Sequence, residues 1–201
     1  MTTAPLLRLE HITKSYGGPE IFKPVDLALS PGARVLVRGS NGCGKSTFLR
    51  IVAGLTEPDE GGLIRKSQEH LSVSYLPQAI MGFTDLSLRF NRLLLGLIIG
   101  RGVAMNENVV EAYFKDRSHM PLGTLSGGYR RLFALQQVCS TRSDVIILDE
   151  PLSQLDDQRL AQAIALIEEA FNTAKIVIAS QPTSNALPAE FEKLWNTPLK
   201  F

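Results

Sequence analysis

Eight residues, "GSNGCGKS" from Gly39 to Ser46, constrain this chain more than any other stretch. Gly39, Gly42 and Gly44 let the backbone curl, and a curled backbone aims successive N–H groups inward, where they cradle an anion. The aliphatic run "RVLVRG" (34–39) precedes the loop and the helical pattern "KSTFLRIVAG" follows it. That order predicts a loop at the carboxyl end of a buried strand and at the positive end of a helix. The spacing is that of the G-x-x-x-x-G-K-[ST] phosphate loop. Lys45 then reaches the β- and γ-phosphates of ATP, and the Ser46 hydroxyl ligates Mg²⁺. Ser40, Asn41, Cys43 and Thr47 complete the ATP-binding set, Cys43 through its backbone rather than its thiol. The bland alternative is a Gly-rich turn carrying an exposed lysine.

Three further aliphatic runs, "LSVSYLPQ" (71–78), "DVIILDE" (144–150) and "KIVIASQ" (175–181), read as strands buried on both faces, as in parallel sheets. Helical patterns lie between them, including "DQRLAQAIALIEEAF" with Leu160, Ile164, Ile167 and Phe171 on one face. Strands alternating with helices predict an α/β fold with a mostly parallel sheet. The first 30 residues and "EGGLIRKS" are Gly-punctuated and alternating, which predicts an antiparallel β part at the edge of that core. Residues 79–122 carry apolar residues at helical spacing and no strand signal, so they read as a helical insertion. The expected organisation is a single domain over 1–201, with an α/β core from 1–78 and 123–201 and a helical subdomain at 79–122.

Composition mainly excludes. A chain of 201 residues that is 44% hydrophobic has enough apolar surface for a core. Its 21 basic and 20 acidic residues are interspersed, giving a net charge of +1 and no electrostatic footprint for nucleic acid. The N-terminus lacks a secretory pattern, and "LLLGLIIG" falls short of the ~20 apolar residues a membrane span needs. A cytoplasmic location is therefore expected, with any membrane association made through a partner. Cys43 and Cys139 are the two cysteines, far apart and without metal spacing.

Asp149 and Glu150 stand just beyond the aliphatic part of "VIILDE". At a strand end beside a phosphate loop, Asp149 can hold Mg²⁺ through water and Glu150 can orient or deprotonate an attacking water. Alone, the pair could simply start a turn. Ser126, Gly127 and Gly128 precede the helical run "YRRLFALQQVC" and present a hydroxyl and free N–H groups at a helix N-terminus, a second anion site in one chain. The alternative is an ordinary helix cap with Ser126 at the N-cap.

With "LSGGYRR" between the phosphate loop and the acidic strand, the chain resembles the nucleotide-binding domains of ABC ATPases from about Leu7 to Gln181. The resemblance implies a P-loop NTPase of ABC type in which two domains pair head to tail. Ser126, Gly127, Gly128 and Asp156 of "SQLD" then contact the ATP held by a second copy or a homologous subunit. It also implies that Tyr16 of "KSYGG" stacks on adenine, and that Gln78 of "YLPQ" touches both Mg²⁺ and an integral membrane transport subunit. Tyr16 could instead just pack in an edge strand, and Gln78 could be a plain loop residue. The segment "FTDLSLRFNRLLLGLII", with Phe83, Leu86, Phe90, Leu94 and Leu97 near one helical face, offers that subunit a groove; forming the insertion's own small core accounts for most of these residues.

One position departs from the pattern. The family usually has histidine where Gln181 stands, and an amide donates a neutral hydrogen bond to phosphate without becoming a cation. The expected function is an ATP-binding and ATP-hydrolysing subunit on the cytoplasmic face of a transporter, dimerising on ATP, with Glu150, Gln181 and Lys45 as its catalytic residues. Ser46, Gln78 and Asp149 form the expected metal set. Its size resembles the minimal ATPases that serve small exporters. The alternatives are a slow regulatory switch and a non-transport ABC protein.

Overall fold

A computed structural model describes residues 4–65, 71–79, 82–99, 114–184 and 186–201. Its centre is a five-stranded parallel sheet in the order β5-β6-β7-β3-β8. These strands are β3 (Ala33–Gly39), β5 (Val73–Leu76), β6 (Val145–Asp149), β7 (Ile176–Pro182) and β8 (Thr197–Lys200). A separate three-stranded antiparallel sheet, β2-β1-β4, comprises β1 (Leu7–Thr13), β2 (Val25–Leu29) and β4 (Glu60–Arg65). Apart from β8, the strands of both sheets are those the aliphatic runs and the Gly-punctuated alternation predict.

The β-branched runs of β6 and β7 divide their side chains between two cores, because successive residues of a strand face opposite ways. Val145, Ile147, Ile176 and Ile178 pack with Phe48, Leu49 and Val52 of α1 (Lys45–Ala53) and with β1. Ile146, Leu148, Val177 and Ala179 pack instead with α3 (Gly127–Cys139) and α4 (Asp157–Thr173). Within α4, Ile164 and Ile167 are buried, and Leu160 and Phe171 pack against the same cluster, as the 3.6-residue period requires.

The C-terminal stretch adds what aliphatic pattern does not reveal. It forms the short helix α5 (Ala189–Lys193) and then β8, which pairs with β3 from Val35↔Thr197 to Arg38↔Lys200. "TPLK" carries a proline, and its alternating half-buried and exposed pattern suits an edge strand.

In the 79–122 region, α2 spans Leu88–Ile99, while residues 80–81 and 100–113 of the expected insertion lie outside the described residues. The helix begins five residues later than the apolar spacing from Phe83 implies. Asn91 is the reason: its side chain accepts from Phe83 N–H at 2.7 Å and donates to the carbonyls of Phe83, Leu86 and Ser87, winding 83–87 into a turn. Phe83, Phe90 and Leu97 are more than half exposed, so the expected small core does not account for them.

At the opposite end of the sheet from the phosphate loop, Asp144 joins three strand starts. Its carboxylate accepts from Ser72 N–H at 2.9 Å and Ser72 Oγ at 2.8 Å, and pairs with Lys175 at 3.0 Å. Burial alone would raise its pKa, but the Ser72 and Lys175 bonds outweigh this and hold it at about 2. A depressed carboxylate pKa stabilises the fold fully above the unfolded value near 4, and the contribution is lost as pH falls through 2. Asp144→Asn should lower the melting temperature at pH 7 by roughly 2–4 °C, the equivalent of about 1 kcal/mol. It should also flatten the stability profile between pH 4 and 2, as measured by calorimetry across that range.

Candidate functional site

The phosphate loop lies between β3 and α1 as its sequence context predicts. Gly42 and Gly44 adopt left-handed backbone, with φ of 80° and 96°. A Cβ on Gly39 would lie 2.5 Å from Cys43 Sγ and 2.9 Å from Phe201 Cβ, so only glycine fits. Gly44 caps α1 with no side-chain hydrogen bond, and no acidic residue stands in the first turn. The first helical bond runs from Phe48 N–H to Gly44 carbonyl, so the N–H groups of Lys45, Ser46 and Thr47 precede the helix's own ladder. Buried Lys45 donates to the carbonyls of Gly39 at 3.1 Å and Ser40 at 2.8 Å, which folds its ammonium back over the loop.

The segment between β1 and β2 leans on this loop. A Cβ on Gly44 would meet Ile21 Cγ2 at 2.6 Å and Phe22 Cδ1 at 2.7 Å. Tyr16, on the same segment, lies beyond the end of β1 and is 68% exposed, with Lys14 Nζ 5.5 Å from its ring centroid. Packing within an edge strand therefore does not explain Tyr16; its ring is open to a planar partner.

β6 delivers Asp149 and Glu150 to the same end of the sheet. Asp149 is buried, and its Oδ1 accepts from Ser180 Oγ at 2.6 Å. Ser180 Oγ in turn accepts from Glu150 N–H at 3.0 Å, so one hydroxyl of β7 fixes both acidic residues. Tyr75 OH also donates to Asp149 Oδ2 at 3.4 Å; burial and then the Asp149 carboxylate push its pKa up, which keeps the phenol a donor. Glu150 takes a φ of 50°, rare for a residue with a side chain, and Gln78 Nε2 donates to its Oε2 at 3.2 Å. Gln78 and Glu150, 72 positions apart in sequence, thus touch.

Gln181 lies inside β7, in the strand its sequence context predicts. It is registered against Arg38 of β3, and Thr183 N–H donates to the Gly39 carbonyl at 3.0 Å. The side chain is 2% exposed, and its Nε2 has no hydrogen-bond partner. A buried amide donor without an acceptor costs roughly 1–3 kcal/mol, so the position favours an incoming anionic oxygen.

Ser126 is the N-cap of α3, accepting from Tyr129 N–H at 3.5 Å, and is exposed. Gly127 and Gly128 allow a close approach that the sequence does not announce. A Cβ on Gly127 would sit 2.7 Å from Gln154 Oε1, and one on Gly128 2.9 Å from Gln154 O. The 153–156 loop thus rests directly on the start of α3. Asp156 is the N-cap of α4, accepting from Arg159 N–H at 3.0 Å and pairing with its guanidinium. That guanidinium covers the Tyr129 ring at 3.8 Å, and Arg117 covers it at 4.2 Å.

Residue-type reasoning misses Arg131. It is 1% exposed and reaches four backbone carbonyls. One terminal nitrogen donates to Pro77 O at 2.7 Å and Gln78 O at 3.4 Å, the other to Glu150 O at 2.8 Å and to Asp149 O. Burial lowers its pKa to about 10 against the opposing pull of the Asp149 and Glu150 carboxylates, so it stays cationic at neutral pH. The available signal was its helical spacing: four residues before buried Leu135, Arg131 falls on the apolar face of α3. Ser180, a hydroxyl at the end of an aliphatic run, carried a similar signal.

The donor set suits a nucleotide with a hard cation. It combines free N–H groups at a helix start, an ammonium, a hydroxyl at Ser46 and a buried carboxylate at Asp149. A family model described as ABC transporter matches residues 22–153. A zinc import ATP-binding protein, ZnuC, of Pseudomonas entomophila is 34% identical over 154 residues, covering 75% of this chain and 58% of the relative. An Fe(3+) ions import ATP-binding protein, FbpC 1, of Pectobacterium atrosepticum is 31% identical over 196 residues, covering 88% and 54%. The chain thus spans between about half and three fifths of the length of these curated relatives. Among solved structures, an ATP-binding subunit of an ABC transporter superposes with a TM-score of 0.80 at 20% identity, over 97% of this chain and 85% of that one. A dimeric ATP-binding cassette in a post-hydrolysis state with ADP and phosphate gives 0.77 at 19%, over 96% and 93%. At that identity the two structures establish the shared α/β fold. With the family model matched over well over half of its length, and its phosphate loop and acidic strand inside that match, the chain belongs to the ABC transporter family.

Proposed function

We propose that this chain is an ATP-binding and ATP-hydrolysing subunit that drives transport through a separate membrane subunit. The single observation that carries this reading is the convergence at one end of the sheet of Lys45, Asp149, Glu150, Gln78 and a buried Gln181 whose Nε2 has no hydrogen-bond partner. The domain reading is one ABC ATPase unit, with 1–78 and 123–201 as core and 79–122 as helical subdomain.

Each residue then has a task. Lys45 exchanges its loop carbonyls for the β- and γ-phosphate oxygens, and the N–H groups of Lys45, Ser46 and Thr47 at the start of α1 hold the polyphosphate. Ser46, Gln78 and, through water, Asp149 would hold Mg²⁺, which would neutralise phosphate charge. Glu150, steadied by Gln78, orients a water in line with the γ-phosphorus and takes its proton. A bond forms from that water's oxygen to phosphorus, the bond from phosphorus to the β–γ bridging oxygen breaks, and ADP leaves with the electron pair. Gln181 donates to a γ-phosphate oxygen, and exposed Tyr16 stacks on adenine. Exposed Ser126 and Asp156, with Gly127 and Gly128 next to Ser126, complete the site of a second copy or a homologous subunit.

The membrane partner fits the exposed face of α2. Phe90, Leu93 and Leu97, at i, i+3 and i+7, are each more than half exposed, with Phe83 beside them. Among the described residues no helix is long and apolar enough to cross a membrane, so a place on its cytoplasmic face would come through this contact. The relatives' names, zinc and iron(III) import, favour uptake over the small-exporter expectation. A second reading, a slow switch that closes on ATP, is favoured by Gln181, whose neutral amide gives a weaker phosphate bond than a charged donor.

Steady-state phosphate release with added Mg²⁺ tests the ATPase. Glu150→Gln should reduce kcat by about 100-fold or more while ATP affinity stays within roughly threefold. Gln181→His should raise kcat above wild type in the assembled complex; equal or lower turnover would remove Gln181 as the cause of slow hydrolysis. Replacing Phe90 and Leu97 with Asp should abolish copurification of a polytopic membrane protein and leave nucleotide binding intact. Copurified ribosomes or DNA would overturn the transport reading.

A further inference from the structure

Arg131 connects three segments that the proposed reaction needs to move together. It comes from the second turn of α3, the helix whose N-terminus is Ser126 to Gly128. Its four terminal N–H groups meet four carbonyls, two from the Gln78 loop and two from the end of β6. Those carbonyls flank the Gln78 and Glu150 side chains that hydrogen-bond at 3.2 Å. The guanidinium fork is planar and rigid, so it holds the two carbonyl pairs at a set separation. Its Nε has no partner, which leaves the fork as its hydrogen-bonding role.

We propose that Arg131 is a positioning residue that sets the Gln78–Glu150 spacing and ties it to the start of α3, so that a ligand on Ser126 to Gly128 alters the geometry at Glu150 of the same chain. The proposal rests on the ATPase reading for its consequence in turnover, and on geometry alone for the mechanical link. In a head-to-tail pair it makes each chain's own water-orienting carboxylate responsive to the nucleotide held by its partner. Gln78, which would touch the membrane subunit, enters the same rigid unit.

Arg131→Lys keeps the charge and replaces the fork by a single ammonium, which cannot bridge both carbonyl pairs at their present spacing. In the full chain, kcat for ATP should fall roughly tenfold with KM within about twofold. The Hill coefficient for ATP should drop towards one. Gln78→Ala should lower kcat as well, and the double variant should be no worse than the poorer single one, because both act on one spacing. Multiplicative losses would overturn the proposal.

Hydrogen exchange on the nucleotide-free protein decides the mechanical link even if turnover proves undetectable, an outcome that would instead count against the ATPase reading. In Arg131→Lys, the amides of Leu76, Gln78 and Ala79 and of Glu150, Leu152 and Ser153 should exchange about tenfold faster while 146–148 and 177–179 stay unchanged. Acceleration spread evenly over both groups, in step with a lower melting temperature, would make Arg131 a general stabiliser and end the proposal. Arg131→Met serves as a second variant: loss of folding there, with Arg131→Lys folded and locally loosened, still supports positioning.

Discussion

The parallel register of β6, β7 and β3 is the constraint on which the site depends. Pairing runs without a slip from Ala33↔Ile176 to Gly39↔Pro182, and from Val145↔Ile176 to Asp149↔Ser180. The ends of β3 and β7 are therefore level, and β6 stops two residues short of them, with Asp149 opposite Ser180, so that the phosphate loop, the acidic pair and the Ser180–Gln181 step meet at one end of the sheet. A shift of a single residue would turn Asp149 to the opposite face and put it among the aliphatic side chains packed on α3 and α4. The hydrophobic effect enforces the register: Ile147 and Ile178 have one core to enter, Leu148 and Ala179 the other.

That end of an apolar sheet gathers a buried polar cluster. Lys45, Arg131, Asp149, Ser180 and Gln181 are all at most 4% exposed. Charges removed from water destabilise a fold unless paired and hydrogen-bonded, and here the pairing is mostly with backbone. Arg131 takes carbonyls, Lys45 takes carbonyls, and Ser180 stands between a carboxylate and an N–H group. Backbone partners are fixed by the fold itself, which gives the site its rigidity without a dedicated shell of side chains.

Elements that announce themselves through period and turn chemistry were legible in the sequence. The phosphate loop, the buried strands, α4 and the antiparallel sheet all follow from local pattern. The main residues of the candidate site stand out in the same way, since a glycine-rich strand-to-helix turn and an acidic strand end have few other uses side by side. What the sequence concealed is long-range. β8 is too short and too mixed to show a period, and its partner β3 lies some 160 residues away, as the Val35↔Thr197 pairing shows. Arg131 looked like one charge in a helical run because its partners are carbonyls, which every residue has. Gly127 and Gly128 suggest an anion site at a helix start and conceal a packing demand from Gln154. The start of α2 was misplaced because a single asparagine, Asn91, turned an apolar stretch into a loop.

Glu150 carries a further consequence through its backbone. A side chain at a φ of 50° costs about 1–3 kcal/mol, and glycine would sit there without strain. A chain selected for durability alone would drift towards glycine at 150 and lose its carboxylate. Keeping glutamate sets a ceiling on how stable this fold becomes while the site stays intact. Thermostabilised descendants of the protein should gather their improvements elsewhere, around Asp144 or the turn at Asn91, and leave the bend after β6 as strained as it is now.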